Sequence, residues 1–300
     1  MVDAECPRVT VVVLSYNRPR LLEKALRSIL AQTIDAMEVI VVDNRSSSSG
    51  EIHDLVGTFR NVRLVANPGN LGFTGGMNGG LNEARGEYVY LTEDDVELAA
   101  DCLVHLVAYL ETHGEVALAG PIMWNRNEGT VRCAGGEFDL GAVYRMRIVG
   151  AGAAEAPQTT PFQTMYLPGA AIAARTAQLR ELGGFRDDFF MYGEDVELCA
   201  RVLKRGWHLA IVPAAKVFHH EPPPAHADSS VVAYHKFKNL GALYLLHARL
   251  TVLPMWVLRY AGMGGIRQVL SDRSALMPWL KAWIWLTMQA PALFAQRGRT

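Results

Sequence analysis

Three observations predict an α/β fold, a mostly parallel sheet covered by helices: β-branched apolar runs, helical periodicity between them, and acidic residues where the runs end. VTVVVL, residues 9 to 14, is a continuous apolar run of the kind that forms a strand buried on both faces. It exits through SYNRPR into LLEKALRSILAQ, whose apolar residues recur at helical spacing. VIVVD, from Val39 to Asp43, repeats the pattern, with a helix expected over residues 51–59 and a third strand from Val62. Residues 77–85 predict another helix, and EYVYL, from Glu87, a fourth strand. Ligands of such sheets gather beyond the carboxyl ends of the strands. Asp43 and the run Glu93, Asp94, Asp95 both stand at such ends.

The rest of the chain predicts a helix over 103–110, a strand at ALAGPIM, and short strands at 143–149 and 162–167. YLPGAAIAAR reads as a strand and TAQLRELGGF as a helix, followed by a helix from Glu194 and by strand-like HLAIVP and KVFHH. The 300 residues divide into a unit over 1–240, with a donor half to about residue 120 and an acceptor half beyond it, and an extension over 241–300. With 29 basic against 30 acidic side chains and a formal charge of -1, nothing marks a nucleic-acid partner, and any phosphate chemistry is local. Cys6, Cys102, Cys133 and Cys199 are widely separated, without paired metal spacing, and suit a reducing, cytoplasmic setting. Asp3, Glu5 and Arg8 precede only a short apolar run, a pattern unlike a secretory leader.

Three adjacent carboxylates need a cation or a solvent-facing edge, because each raises the cost of ionising the next. Glu93, Asp94 and Asp95 have two readings: an acidic first turn of a helix starting near Glu97 or Ala99, or hard oxygen ligands for a divalent cation. Asp43 likewise reads as a turn former or as an acceptor for a nucleotide base or ribose. Read together, the two acidic strand ends suggest a nucleotide diphosphate bound through metal.

Between them, NPGNLGFTGGMNGGLNEARG carries seven glycines in twenty residues. Glycine weakens regular structure and lets backbone approach a ligand, so Asn70, Gly72, Gly75, Gly76 and Asn78 read as a polar loop over a sugar phosphate, or as a loose surface turn, ahead of a helix from about Asn78. Neither a dinucleotide fingerprint nor a phosphate loop ending in Gly-Lys-Ser/Thr is present. Further on, Glu194 and Asp195 open a helix whose other end carries Arg201, Lys204 and Arg205. They suit the helix dipole, and a carboxylate presented there is also placed to take a proton from a hydroxyl. Phe189, Phe190 and Tyr192 line a sugar or pack. His219 and His220 end an apolar segment, where one imidazole can join an oxygen-rich metal site; no His-Glu-Xaa-Xaa-His spacing marks a zinc hydrolase.

VVVLSYNRPRLLEKALRSILAQ, Asp43, NLGFTGGMNGGL, TEDDVEL, LPGAAIAAR, and GGFRDDFFMYGEDVELCARVLKRGW followed by VFHH run in order over residues 9 to about 220. Together they resemble the family 2 glycosyltransferases of GT-A fold, and more narrowly their bacterial rhamnosyltransferase-type members. The resemblance implies inverting transfer, by single displacement, from a nucleotide diphosphate sugar to a hydroxyl of a glycan, lipid-linked or small-molecule acceptor. The donor is a dTDP- or UDP-sugar, with dTDP-rhamnose a family-level preference, and the cofactor is Mg²⁺ or Mn²⁺. By the same resemblance Ser15, Tyr16, Asn17, Asp43, Asn70, Gly72, Phe73, Gly76, Asn78 and Asp94 hold the donor. Asp95, Glu93 and His219 hold the metal or diphosphate, and Asp195 is the catalytic base with Glu194 its alternative. Glu93 departs from the Asp or Asn usual at the first position of the acidic motif, which leaves open the residue that meets the cation directly: Asp95 is expected first, Asp94 next, and Glu93 through water. Two rivals stand beside this reading, a noncatalytic nucleotide-sugar or glycan-binding shell and a nucleotidyltransferase, although the latter's early Gly-rich loop with basic residues is missing.

After Gly241 the character changes. Arg249, Arg259, Arg267, Arg273, Lys281, Arg297 and Arg299 face a single acidic residue, Asp272, among apolar segments rich in tryptophan. The apolar stretches fall short of the ~18 residues that mark a spanning helix. The expectation is helices lying at the inner face of a plasma membrane as a peripheral contact, packed on the catalytic unit, or joining a homodimer.

Overall fold

The computed structural model describes residues 7–141, 144–220, 229–259 and 273–297. Four strands form the N-terminal half of the sheet: β1 (Val9–Ser15), β2 (Met37–Asp43), β3 (Val62–Ala66) and β4 (Tyr88–Glu93). β1 lies between β2 and β4, all pairs parallel, and β3 flanks β2. Every residue of β1 is buried, as its unbroken apolar run requires. Burying each such side chain contributes roughly 1.5–3 kcal/mol relative to exposure. The connecting helices are α1 (Pro19–Leu30), α2 (Ser49–Gly57) and α3 (Gly72–Glu83).

α3 corrects the expectation of a loop over 70–78 with a helix from Asn78, because the helix begins at Gly72. The glycines serve packing. A Cβ at Gly76 would lie 2.3 Å from Leu14 Cδ1, and one at Gly80 would lie 2.2 Å from Val12 Cγ1, so their absence lets α3 settle onto β1. Helical propensity is overridden by this close tertiary contact.

The chain next departs from the helix reading of the acidic run. Instead of a helix from Glu97 or Ala99, β5 (Val96–Leu98) follows directly, and α4 (Cys102–Thr112) comes after it. β6 (Val116–Asn125), β7 (Val131–Cys133), the hairpin β8 (Gly136–Leu140) and β9 (Tyr144–Ile148), β10 (Phe162–Thr164) and β11 (Ala171–Arg175) build the second half. α5 (Thr176–Glu181) and α6 (Glu194–Lys204) precede β12 (His208–His219), one long strand where the sequence suggested two apolar segments. Its register shifts between Val212 and Lys216, which accommodates Pro213. The main sheet runs β10-β12-β6-β11-β4-β1-β2-β3, with β5 on β12 and β7 on β6. β11 is antiparallel to both β4 and β6, so strand direction switches there.

α7 (Ser229–His247), α8 (Leu253–Val257) and α9 (Leu276–Gln296) follow. The division after residue 240 falls inside α7. A Cβ at Gly241 would meet Leu286 Cδ1 at 2.3 Å, so α7 and α9 pack in close contact. Leu243, Leu246, Leu286 and Leu293 are buried in the main core. Lys204 Nζ donates to the Leu246 carbonyl at 3.0 Å, joining α6 to α7. No helix among the described residues is long and apolar enough to cross a membrane. Cys6, His-flanking Pro222 to Pro224, Arg267, Asp272 and Arg299 lie outside the described residues.

Candidate active site

Parallel register brings the strand ends to one edge. Ser15 pairs with Asp43, Asp43 with Ala66, and Leu14 with Glu93. Asp94 is fully buried, and its Oδ2 accepts from Ser15 Oγ at 2.9 Å and from the Tyr16 N–H at 3.2 Å. The cation required by the three carboxylates in this structure is Arg18. Its Nη1 donates to Asp95 Oδ2 at 2.6 Å, while Nη2 lies 2.9 Å from Asp94 Oδ1 and 3.8 Å from Glu93 Oε2. One guanidinium against three carboxylates leaves an excess of negative charge. Burial, with Asp95 adding to it, pushes Glu93 up to about 8 despite Arg18. Burial likewise lifts Asp94 to about 7 against the pull of Arg18.

Beside the acidic run, the ends of β1 and β2 lead into a tight polar turn. Asp43 is buried, its Oδ1 accepting from the Ser46 N–H at 3.0 Å and its Oδ2 from Ser49 Oγ at 2.7 Å. Asn17, at φ 60, accepts from the Ser47 N–H at 2.6 Å and from Ser47 Oγ at 2.9 Å. Asn44, which sequence reasoning passed over, accepts from Asn67 Nδ2 at 3.0 Å and from the Leu71 N–H at 3.0 Å, and donates to Asn70 Oδ1 at 3.1 Å. Asn70 Oδ1 also accepts from the Gly72 N–H at 2.9 Å, starting α3. Asn78 turns the other way, donating to the Phe185 carbonyl and to Asp187 Oδ1, each at 2.7 Å. Phe73 packs edge-on to Phe185 with ring centroids 5.2 Å apart. Gly76, Asn78 and Phe73 are thus committed within the fold.

The second half of the sheet arrives through β11, whose Ala171 pairs with Thr92 near the end of β4. Above the start of β11 sits the first turn of α6: a Cβ on Gly169 would lie 3.6 Å from Asp195 Cβ and would crowd the Phe73 ring. Asp195 Oδ2 accepts from Tyr166 Oη at 2.6 Å, and Oδ1 from the Val196 N–H at 2.8 Å. Burial holds its carboxyl above the ordinary value, with the Tyr166 hydroxyl and the Val196 amide working the other way. Glu194 is buried, with Oε2 lacking a hydrogen-bond partner, and burial together with Asp195 pushes it well up. The charge of Asp195 adds, as a smaller contribution, to the upward shift of Glu93. Of the three aromatic residues ahead of α6, Phe189 is buried, Phe190 stacks on His235, and Tyr192 stays exposed.

β5 carries the acidic run to the histidines. His219 pairs with Val96, and the His220 N–H donates to the Asp95 carbonyl at 2.8 Å. His219 Nε2 lies 3.7 Å from Asp95 Oδ1, while His220 Nε2 contacts Glu97 Oε1 at 2.5 Å. Burial holds His219 below its ordinary pKa, with Asp95 pulling the other way.

This geometry has counterparts among known proteins. The glycosyl transferase family 2 model matches residues 10–155, and the glycosyl transferase family group 2 model matches residues 88–295, well over half of the chain. The chain belongs to glycosyltransferase family 2. It is 30% identical over 216 residues to the pre-mycofactocin glycosyltransferase of Mycobacterium tuberculosis, which covers 70% of this chain but only 42% of that protein. It is 27% identical over 249 residues to the N-acetylglucosaminyl-diphospho-decaprenol L-rhamnosyltransferase of the same organism, covering 75% of this chain and 81% of that one. Among solved structures, GalNAc-T7 with UDP, GalNAc and Mn²⁺ superposes with a TM-score of 0.67 at 17% identity, over 90% of this chain and 55% of that one. S. aureus TarS 1-349 gives 0.58 at 16% identity, over 97% of this chain and 88% of that one. These likenesses establish the GT-A fold.

The donor atoms of this glycosyltransferase suit a divalent cation in one respect and stop short in another. Asp95 Oδ1 and His219 Nδ1 are buried without hydrogen-bond partners, and Asp95 Oδ1 faces His219 Nε2. Among the described residues, however, no three His, Cys, Asp or Glu side chains converge into a preformed metal cage. An ion held by one or two protein ligands and completed by substrate phosphates fits that arrangement. Three residues of the site were missed by sequence reasoning. Arg18 had a signal, the first of two cations just past the end of β1, whereas Tyr166 and Asn44 stand in no pattern that sequence alone distinguishes.

Proposed function

We propose that this chain transfers a sugar from a nucleotide diphosphate donor to an acceptor hydroxyl, inverting the anomeric carbon in a single displacement. The observation that carries the proposal is the meeting of the acidic edge of β4 with Asp195, held by Tyr166, where β11 joins the two halves. The acceptor oxygen attacks the anomeric carbon, and the bond to the diphosphate breaks, its electron pair leaving with the diphosphate. Asp195 receives the acceptor proton, and burial tunes it toward that task. Asp95 and His219 would hold Mg²⁺ or Mn²⁺, and Glu93 would add negative charge beside it. When bound, the ion supplies positive charge against the leaving diphosphate. Asp94 fixes the β1 exit, and Asp43 with Asn17 shapes the side of the cleft that takes the base.

The rhamnosyltransferase relative carries a lipid-linked acceptor in its name, and this chain has a surface suited to one. Met277, Leu280, Ile284 and Met288 form an exposed stripe along α9, and Lys281 lies among them. Pro278, Ala282, Leu286 and Leu293 form its buried side. We assign the stripe to a peripheral contact with lipid, and dTDP-rhamnose as the first donor to test.

Calorimetry with dTDP or UDP, with and without Mn²⁺, tests the donor site. The expected result is binding that is lost on chelation and in Asp95→Ala; equal affinities throughout contradict the metal assignment. Release of nucleoside diphosphate from a bound nucleotide sugar distinguishes a transferase from a noncatalytic shell, which binds the donor and leaves it intact.

A further inference from the structure

Two residues of the loop ahead of the proposed base, Phe190 and Tyr192, are held in an unfavourable backbone, and Gly193 follows at positive φ. Phe190 has φ 65 and ψ -60, Tyr192 has φ 66, and Gly193, the cap of α6, has φ 83. Side chains other than glycine rarely adopt positive φ, and such conformations persist only where the surroundings enforce them. The enforcement comes from α7. Asn239, almost fully buried, donates from Nδ2 to the carbonyls of Phe189 and Met191, each at 2.8 Å, and of Tyr192 at 2.7 Å. Its Oδ1 has no hydrogen-bond partner, so the side chain serves purely as a donor. Neighbouring residues of the same helix grip the same loop: His235 stacks on Phe190 at 4.7 Å, Lys236 sits 4.8 Å over the Tyr192 ring, and Lys238 Nζ donates to the Asp188 carbonyl.

From this geometry we propose that Asn239 is a positioning residue for sugar transfer, holding the 189–193 backbone so that Asp195 is presented to the acceptor hydroxyl. The inference rests on the reading of Asp195 as the base. Three carbonyls converge on one amide nitrogen, which ties together backbone on both sides of Phe190. The amide's hydrogen bonds go to this loop, which is also held at the start of α3, where the Thr74 N–H donates to the Phe190 carbonyl at 3.2 Å. Removing the amide is expected to free the base while that second hold stays in place, a misplacement that costs on the order of 10²-fold in rate when it reaches 1 Å.

The test compares full-length Asn239→Ala, Asn239→Asp and Asp195→Asn proteins. The readouts are calorimetric affinity for dTDP or UDP with Mn²⁺, nucleoside diphosphate release from the matching nucleotide sugar, and hydrogen exchange across residues 187–196. Asn239→Asp keeps the shape but points a carboxylate at the three carbonyls, so it probes the contact even where alanine compromises folding. The expected result for both Asn239 variants is a kcat lower by about 10- to 100-fold, unchanged nucleotide affinity and donor KM, and faster exchange confined to the loop. Near-normal kcat in both variants, or a loss of nucleotide affinity matching the loss of kcat, overturns the proposal. Lost turnover in Asp195→Asn with normal turnover in the Asn239 variants removes only the role given to Asn239. Near-normal turnover in Asp195→Asn contradicts the base assignment itself, and this inference with it.

Discussion

Glu93, Asp94 and Asp95 share one guanidinium, and the shortage of positive charge makes the folded state sensitive to pH. Glu93 and Asp94, ordinarily at 4.5 and 3.8, are pushed up to about 8 and about 7. The folded chain therefore keeps protons that the unfolded chain releases above about pH 4–5. Their contribution to stability is complete at acid pH and is lost as pH rises through 7 and 8. Buried histidines act oppositely: burial, aided by Lys238, drops His235 to about 4, and burial lowers His219 and His247, so stability falls as pH drops below about 6.5. The window in which the carboxylates dominate is about pH 6.5 to 8. Thermal unfolding across that window without divalent cation should show a falling midpoint, and Mn²⁺ should flatten the fall by favouring the ionised carboxylates. A midpoint that is level or rising in both conditions contradicts the account of the acidic edge.

Individual elements show what a sequence can and cannot convey. β1, β2 and β4 were legible because a strand buried on both faces must be apolar throughout, and no other demand competes with that one. α3 was hidden because glycines at 76 and 80 lower helical propensity while enabling contact with Leu14 and Val12, a gain visible only once the strands are in place. Asp95 and Asp195 stood out as acidic residues beside apolar runs, whereas Tyr166 and Asn239 act across 29 and about 50 residues of chain. α9 belongs to the same scale. Its exposed stripe recurs at helical spacing, Arg249, Arg259 and Lys281 are exposed, and Arg297 is instead committed to carbonyls at the end of α7, including Leu245 at 2.5 Å. Co-sedimentation with anionic vesicles should weaken with salt and with neutralisation of Arg249, Arg259 and Lys281, each worth about 1 kcal/mol near a charged surface. Ile284→Asp and Met288→Asp should weaken it further. No binding by the intact folded chain, together with a dimeric mass, gives the stripe to a second copy instead.

Across the whole molecule, a parallel N-terminal half of the sheet and a mixed second half meet at β11, and α7 holds the loop before α6 in addition to covering the core. The acidic edge and Asp195 come from opposite sides of that junction, and the proposed function divides holding the donor and activating the acceptor between them. The most direct measurement of this division is Asp195→Asn, read by nucleotide sugar affinity and turnover in parallel, with Glu194→Gln as the matched control. Asparagine keeps the shape and can still accept from the Val196 N–H while removing the basic carboxylate. The expected result is a folded protein with near-normal donor affinity and turnover lower by roughly 10²-fold or more, the scale for loss of a general base. Near-normal turnover in Asp195→Asn with a large loss in Glu194→Gln moves the base to Glu194, and a collapse of donor affinity in Asp195→Asn contradicts the separation of the two sites.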